Sequence, residues 1–124
     1  MLIALFFLNC KKTPTPPEEE WTEYTWFDET VILNVGHCIR EHSKDFYEGD
    51  LVFIYINVIE GNPVYFRLFR ESPPEDIVMA ENILGGEYQT IIEYSTTHDV
   101  ELWLYSCQFD TATVHWKIIV KTQY

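Results

Sequence analysis

Residues 50–70 constrain the fold most strongly, because two long apolar runs flank a short turn-like connector. Both runs are rich in β-branched and aromatic residues, which favour a pleated, packed surface. The connector, Glu60 to Pro63, contains the Gly, Asn and Pro residues that supply turn backbone angles. The pattern predicts a β-hairpin with strands Leu51–Ile59 and Val64–Phe69 and a turn at 60–63. We expect this hairpin to be the centre of an all-β core.

Two later segments alternate with a period of two, which is typical of half-buried strands. In segment 100–107 the two faces are Val100, Leu102 and Leu104, against Glu101, Trp103 and Tyr105. In segment 113–121 they are Val114, Trp116, Ile118 and Val120, against His115, Lys117, Ile119 and Lys121. In each segment the two sets are predicted to lie on opposite faces of a half-buried strand.

Shorter strands are predicted along the rest of the chain. Segment 21–30 is either an edge strand or a strap across the sandwich, and 31–35 is a strand closed by Gly36. Segments 38–42 and 88–94 are further strands, and 77–84 is either a helical turn or a strand. Turns are predicted at 43–45, 49–50, 72–76, 95–99 and 108–110. Seven or eight short strands with no alternating helices predict a two-sheet antiparallel β-sandwich, jelly-roll-like modules included.

The first ten residues form an apolar run that is too short to span a bilayer and matches the core of a signal peptide. Residues 7–10, Phe-Leu-Asn-Cys, resemble a loose bacterial lipobox. This resemblance implies cleavage before Cys10 and lipidation of Cys10, and therefore a cell-envelope protein on the periplasmic or outer surface. No Lys or Arg precedes the run, which indicates a true start upstream of Met1. The alternative is an ordinary buried N-terminal strand.

Residues 11–20 contain three of the six prolines and no side chain suited to a core. Such a segment is extended, and ten residues at about 3.1 Å each would hold a domain roughly 30 Å from a membrane. The predicted organisation is therefore a signal peptide at 1–10, a Pro- and Glu-rich linker at 11–20 and one β-sandwich domain at 21–124. A lipid anchor of two or more acyl chains would be stable.

The order of signals from Gly49 to Lys121 resembles the GOLD-like β-sandwich of p24-type cargo receptors and of some bacterial envelope proteins. The matching features are Gly49-Asp50 before the strand 51–59, the strand that begins at Pro63, and the Gly86-x-Tyr88 opening of a later strand. The strand that begins at Pro63 carries Val64, Phe66 and Leu68. The resemblance implies a non-catalytic protein-interaction module, and it carries over no functional residue.

The net charge of −12 excludes nucleic acid as an expected partner, since a phosphate backbone would be repelled. Catalysis is not predicted either, because the chain has no Gly-x-Ser-x-Gly motif. His98 and Asp99 fall in a predicted turn, and carboxylate neighbours such as Glu48/Asp50 or Glu75/Asp76 are expected by chance among twenty acidic residues. No cofactor is predicted.

Cys38 and Cys107 remain once Cys10 is assigned to lipid. In an exported protein an even pair indicates a disulfide, and the alternative is two separate buried thiols. His37, Cys38 and His42, with His98 or Cys107, are the conceivable metal ligands. They lack the Cys-x-x-Cys or His-x-x-x-His spacing of zinc sites, so no metal site is predicted.

Trp103 and Tyr105 are the candidate binding-surface aromatics, because they lie opposite the apolar face of their strand. Exposed rings on a sheet either stack on sugars or dock a protein partner. The alternative is that segment 21–30, with Trp21, Tyr24, Trp26 and Phe27, covers them. The sequence thus predicts a lipid-anchored envelope protein whose domain binds another protein or its own copies. A carbohydrate-binding module on the same anchor is the second hypothesis.

Overall fold

The computed structural model describes residues 21–124, which form eight β-strands. The strands are β1 (Thr22–Leu33), β2 (Ile39–Asp45), β3 (Leu51–Gly61), β4 (Val64–Glu71), β5 (Pro74–Ile83), β6 (Gly85–Ile91), β7 (Thr97–Leu104) and β8 (Ala112–Thr122). The predicted leader, the linker and Cys10 lie outside the described residues. Residues 21–124 contain no helix that could cross a membrane.

The strands form two antiparallel sheets of four, which confirms the predicted two-sheet β-sandwich. The β1 sheet has the order β1-β8-β3-β6, and the β2 sheet has the order β2-β7-β4-β5. Alternate residues of β3, β4, β7 and β8 are buried, as period two requires. Trp116, Phe46 and Phe66 are the largest of the fully buried side chains. Both predicted face assignments, in 100–107 and in 113–121, are confirmed.

The predicted hairpin at 51–69 is wrong, although both of its strands exist. β3 pairs with β6 and β8, whereas β4 pairs with β5 and β7, so the connector crosses from one sheet to the other. Gly61 has a φ of 105°, and a Cβ there would meet the Thr111 carbonyl. The Asn62 amide donates to that carbonyl at 2.7 Å, and the Thr111 amide donates to Asn62 Oδ1 at 2.9 Å. The connector is therefore held by the β7–β8 loop. Within residues 21–124 the hairpin of consecutive strands is β4–β5.

Several predicted boundaries also need correction. Residues 43–45 belong to β2 and 97–99 to β7, although both were predicted as turns. Segment 77–84 is strand rather than helix, and 74–76 begin that strand instead of breaking it. Segments 21–30 and 31–35 are one strand, β1, which is the edge strand and not a strap. Ser43, Asp45 and Thr97 are exposed and were predicted as turn residues because they are polar, whereas His98 is buried in β7.

The antiparallel register defines two poles of the sandwich. Connections 34–38, 62–63, 84 and 105–111 meet at the upper pole, and connections 46–50, 72–73 and 92–96 meet at the lower pole. Trp21 and Tyr124 also lie at the lower pole, since Thr22 pairs with Thr122. The chain thus enters the domain at the pole opposite to the 105–111 loop.

One open side of the sandwich, between β1 and β2, is closed by Glu29. Its carboxylate accepts hydrogen bonds from Arg40 Nε and Nη2 at 3.0 and 2.9 Å, from Trp116 Nε1 at 2.9 Å, and lies 2.7 Å from His42 Nε2. The His42 ring stacks on Phe27 with centroids 4.0 Å apart. Burial opposes ionisation of Glu29, but the hydrogen bonds from Arg40, His42 and Trp116 outweigh it and lower the pKa of Glu29 to about 2.

Candidate functional site: the outer face of the β2 sheet

The outer face of the β2 sheet carries its exposed side chains in rows, because paired residues of neighbouring strands point the same way. The uppermost row is Ile39, Trp103 and Tyr65. The next row is Glu41, Glu101, Arg67 and Met79. The third row is Ser43, Asp99, Phe69 and Asp76. An apolar row thus lies beside two rows that each contain two carboxylates.

Three aromatic rings, which we call the ring cluster, occupy the upper end of this face: Tyr65, Trp103 and Tyr105. Tyr65 stacks with Trp103 at 5.6 Å between centroids and with Tyr105 at 6.0 Å. Both ring pairs are near-parallel, with angles of 24° and 26° between planes. Tyr105 is 78% exposed, whereas Tyr65 and Trp103 are half-buried. Segment 21–30 lies in the other sheet, so the predicted cover over Trp103 and Tyr105 does not form.

The second row contains two glutamates on neighbouring strands. Glu41 and Glu101 are directly opposite across β2 and β7. A hydrogen bond to Glu101 and the negative charge of Glu101 raise the pKa of Glu41. Like charges directly opposite in a sheet are destabilising, so this pair is not explained by the stability of the fold.

Arg67 is the cation that these rows contain. Its Nε donates to Glu101 Oε1 at 3.0 Å, and its Nη1 lies 3.3 Å from Asp76 Oδ1. Its guanidinium also lies over the Phe69 ring, 3.9 Å from the centroid. Arg67 is thus paired with groups of the same face. The negative charges of Glu41 and Asp99 are not balanced by another cation of these rows.

A disulfide between Cys38 and Cys107 borders the ring cluster, with Cα atoms 5.3 Å apart. Cys38 precedes Ile39 of the uppermost row, and Cys107 follows Tyr105 by two residues. The Leu104 amide donates to the Cys38 carbonyl at 3.1 Å, which continues the β2–β7 pairing up to the bridge. The covalent link therefore holds the 105–111 loop, with exposed Tyr105 and Phe109, against the start of β2.

The outer face of the β1 sheet has a different character. Lys117 lies over Tyr55 at 5.1 Å from the centroid, and Lys121 lies over Phe53 at 5.6 Å. The carboxylates of Glu23, Asp28 and Glu87 stand in the rows that contain these lysines. A shallow groove at the upper pole is lined by Tyr55, Asn57, Glu87 and His115. His115 lies 2.5 Å from Asp28, so the histidine of this groove already has a partner.

The histidines and cysteines of residues 21–124 do not assemble into a metal site. No group of three or more His, Cys, Asp or Glu side chains in that range has metal-binding geometry. His42 is engaged with Glu29, and Cys38 and Cys107 are bonded to each other. His98 is fully buried in β7 and does not lie in the turn that was predicted for it. Burial lowers the pKa of His98, and the charge of Arg70 acts in the same direction.

Sequence reasoning identified two members of this site, Trp103 and Tyr105, and missed the others. Tyr65 and Arg67 alternate with the buried residues of β4, so period two could have placed them on the outer face. The pairing of Glu41 with Glu101 has no signal in the local sequence.

These features define an all-β sandwich with one uncovered aromatic and acidic face. No family model matches the chain, and no curated protein matches it. Solved structures that share the fold include two bacterial chains. One is PliG of Aeromonas hydrophila, a periplasmic lysozyme inhibitor of g-type lysozyme, with a TM-score of 0.56 and 10% identity over 86% of this chain and 93% of that chain.

The other is the pre-peptidase C-terminal domain of collagenase from Bacillus anthracis. Its TM-score is 0.53, and it is 11% identical over 73% of this chain and 88% of that chain. At such low identity both similarities concern the fold alone. One of these chains is an inhibitor and the other is a domain appended to a peptidase.

Proposed function

We propose that this chain is a lipid-anchored protein of the cell envelope whose non-catalytic β-sandwich binds another protein. The observation that carries the binding role is the outer face of the β2 sheet, where the ring cluster with its exposed Tyr105 is left uncovered by the rest of residues 21–124. Exposed aromatic side chains surrounded by polar groups are typical of protein-binding surfaces. The fold shared with a periplasmic inhibitor supports an envelope location and a protein partner.

The anchor is supported by the leader, Cys10 and the proline-rich linker of the sequence. The geometry of the domain is compatible with it, because Trp21 lies at the lower pole and Tyr105 follows β7 at the upper pole. β1, which connects the two poles, contains 12 residues and is about 40 Å long. A tether at the lower pole would hold the ring cluster away from the membrane.

Intact mass of the membrane-extracted full chain tests the anchor, with Cys10→Ser as the control. We expect wild type to carry the added mass of acyl chains and the variant to carry none. A wild-type chain that stays soluble without lipid mass would contradict the anchor.

Site-specific photo-crosslinking in cells tests the binding role. A photoreactive phenylalanine replaces Tyr105 in one variant and Tyr47, which is 52% exposed at the lower pole, in the control. We expect a discrete protein adduct from position 105 and none from position 47. Equal adducts from both positions, or none from position 105, would refute binding through this face.

A carbohydrate-binding module is the second candidate, and the near-parallel rings favour it. Aromatic faces stack on the apolar faces of sugar rings. We rank it second because Tyr65 stacks with both neighbours, which leaves Tyr105 as the one largely exposed ring of the three. Titration with chito- and cello-oligosaccharides, followed by tryptophan fluorescence and compared with Trp103→Phe, distinguishes the two candidates.

A further inference from the structure

We infer that the partner of the β2-sheet face is a protein segment in extended conformation that presents a Lys or Arg and an apolar side chain two residues apart. The inference rests on the proposed function and adds the chemistry of the partner. It is drawn from the charge and the spacing of the rows on this face.

The outer face of the β2 sheet carries an excess of negative charge. Its outward carboxylates include Glu41, Asp45, Asp76, Asp99 and Glu101, and the cation in its rows is Arg67. Asp45 and Asp99 accept hydrogen bonds from Thr97 and Ser43, which add no positive charge. A cationic partner would neutralise the face, and it would relieve the repulsion between Glu41 and Glu101.

A second copy of this chain is a poor occupant, because the cations of residues 21–124 are already engaged. The guanidinium groups of Arg40, Arg67 and Arg70 pair with carboxylates. The ammonium groups of Lys44, Lys117 and Lys121 lie over aromatic rings. Self-association of residues 21–124 would therefore bring together anionic surfaces whose few cations already have partners of their own.

The row spacing gives the register of the partner. Trp103 and Glu101 are two residues apart on β7, so their side chains leave the sheet about 7 Å apart. An extended segment has the same repeat. When its apolar residue rests on Trp103 and Tyr105, the residue two positions along reaches the carboxylates of Glu41 and Glu101. Burial of the ring contact strengthens the neighbouring ion pair by lowering the local dielectric.

The test uses blocked heptapeptides as probes and the ¹⁵N-labelled full chain in nonionic detergent. The basic peptide is Leu-Ser-Lys-Ser-Leu-Ser-Lys, and its two comparison peptides replace Lys by Gln or by Glu. We expect the basic peptide to shift the amide signals of residues 39–41 and 101–105. The affinity should fall in the order Lys, Gln, Glu, and the Lys peptide should bind more weakly as salt screens the charges.

Two double variants of equal charge locate the effect. Glu41→Gln with Glu101→Gln should lower the affinity for the Lys peptide roughly three- to tenfold, as expected for two exposed ion pairs. Glu23→Gln with Glu87→Gln, on the β1-sheet face, should leave it unchanged. Equal losses in both would mean that a diffuse negative field attracts the peptide, and the inference would be overturned.

The remaining outcomes separate this inference from the proposed function. The Gln peptide could shift the amide signals of residues 39–41 and 101–105 with the same affinity as the Lys peptide. In that case the face binds proteins, but the inferred need for a cation in the partner is wrong. If none of the peptides shifts these residues, the inference is again overturned, and the crosslinking at position 105 decides the proposed function independently. Thermal melting of both double variants checks that they fold alike.

Discussion

Glu29 shows how one carboxylate joins the two sheets of the sandwich. It belongs to the edge strand of the β1 sheet, while Arg40 and His42 belong to the edge strand of the β2 sheet. Its pKa of about 2 lies below the ordinary value of 4.5, so the folded state binds a proton less readily than the unfolded state. Stability is then fully present above the unfolded pKa and is lost as the pH falls from about 5 towards 2.

We expect Glu29→Gln to lower the free energy of unfolding at pH 7 by about 1–3 kcal/mol, since hydrogen bonds to a charged group are lost. Between pH 5 and 2, the free energy of unfolding should also decrease less in the variant than in wild type. Urea unfolding at pH 7, 4.5 and 3 measures both effects. Glu60→Gln, at an exposed position of β3, is the control and should behave like wild type. An unchanged pH profile in Glu29→Gln would show that the carboxylate does not join the sheets.

A comparison of Gly61 with Gly49 separates the energetic cost of a positive φ from the cost of close packing. Both have positive φ, 105° and 94°, but a Cβ at Gly61 would lie 2.3 Å from the Thr111 carbonyl oxygen, whereas Gly49 has open space. We expect Gly49→Ala to cost about 1 kcal/mol for the backbone conformation alone. Gly61→Ala should cost about 1–3 kcal/mol more, because the β7–β8 loop has to move. Equal losses in denaturant unfolding would show that the close approach is unimportant.

At the scale of the element, the disulfide links the start of β2 to the loop after β7. Cys38 and Cys107 are separated by 69 residues, so the bridge restricts a large part of the unfolded chain. In the chain-entropy model such a loop contributes about 4 kcal/mol. We expect Cys38→Ser with Cys107→Ser to lower the free energy of unfolding by about this amount, measured with and without reductant. Reductant should not change the stability of the double variant.

The strands themselves were largely predictable, but their partners were not. Period two assigned the faces of β7 and β8 correctly, since alternation directly reports which side of a strand is buried. The predicted partner of β3 was wrong because the residues of β3 do not specify whether this strand pairs with β4 or with β8. The β3–β4 crossing depends on contacts from Thr111, about fifty positions away from Gly61.

The candidate site was predictable to the same extent. Trp103 and Tyr105 were found because they share a strand with an obvious buried face. Tyr65, Glu41 and Arg67 join them only through strand neighbours that the sequence does not specify. The resemblance to the GOLD-like β-sandwich and the lipidation of Cys10 stay predictions.

At the scale of the whole molecule, the net charge of −12 acts on the compact state through self-repulsion. We expect the stability to rise by about 1 kcal/mol as the ionic strength increases from 0.01 to 0.15 M, because the Debye length falls from about 30 to 8 Å. Thermal unfolding across this range measures the effect. A melting temperature that falls with salt would indicate that ion pairs such as Arg40–Glu29 outweigh the repulsion.

The position of β8 has a consequence for how the chain acquires its structure. β8 is the last strand in the sequence, yet it lies between β1 and β3 in the β1 sheet. During synthesis or export from the N-terminus, β1 has no hydrogen-bonding neighbour until residues 112–122 emerge. Completion of the sheet therefore depends on joining segments from opposite ends of the domain, which is slow for β-rich chains. Such a delay would keep β1 unpaired during the export that we propose for this chain.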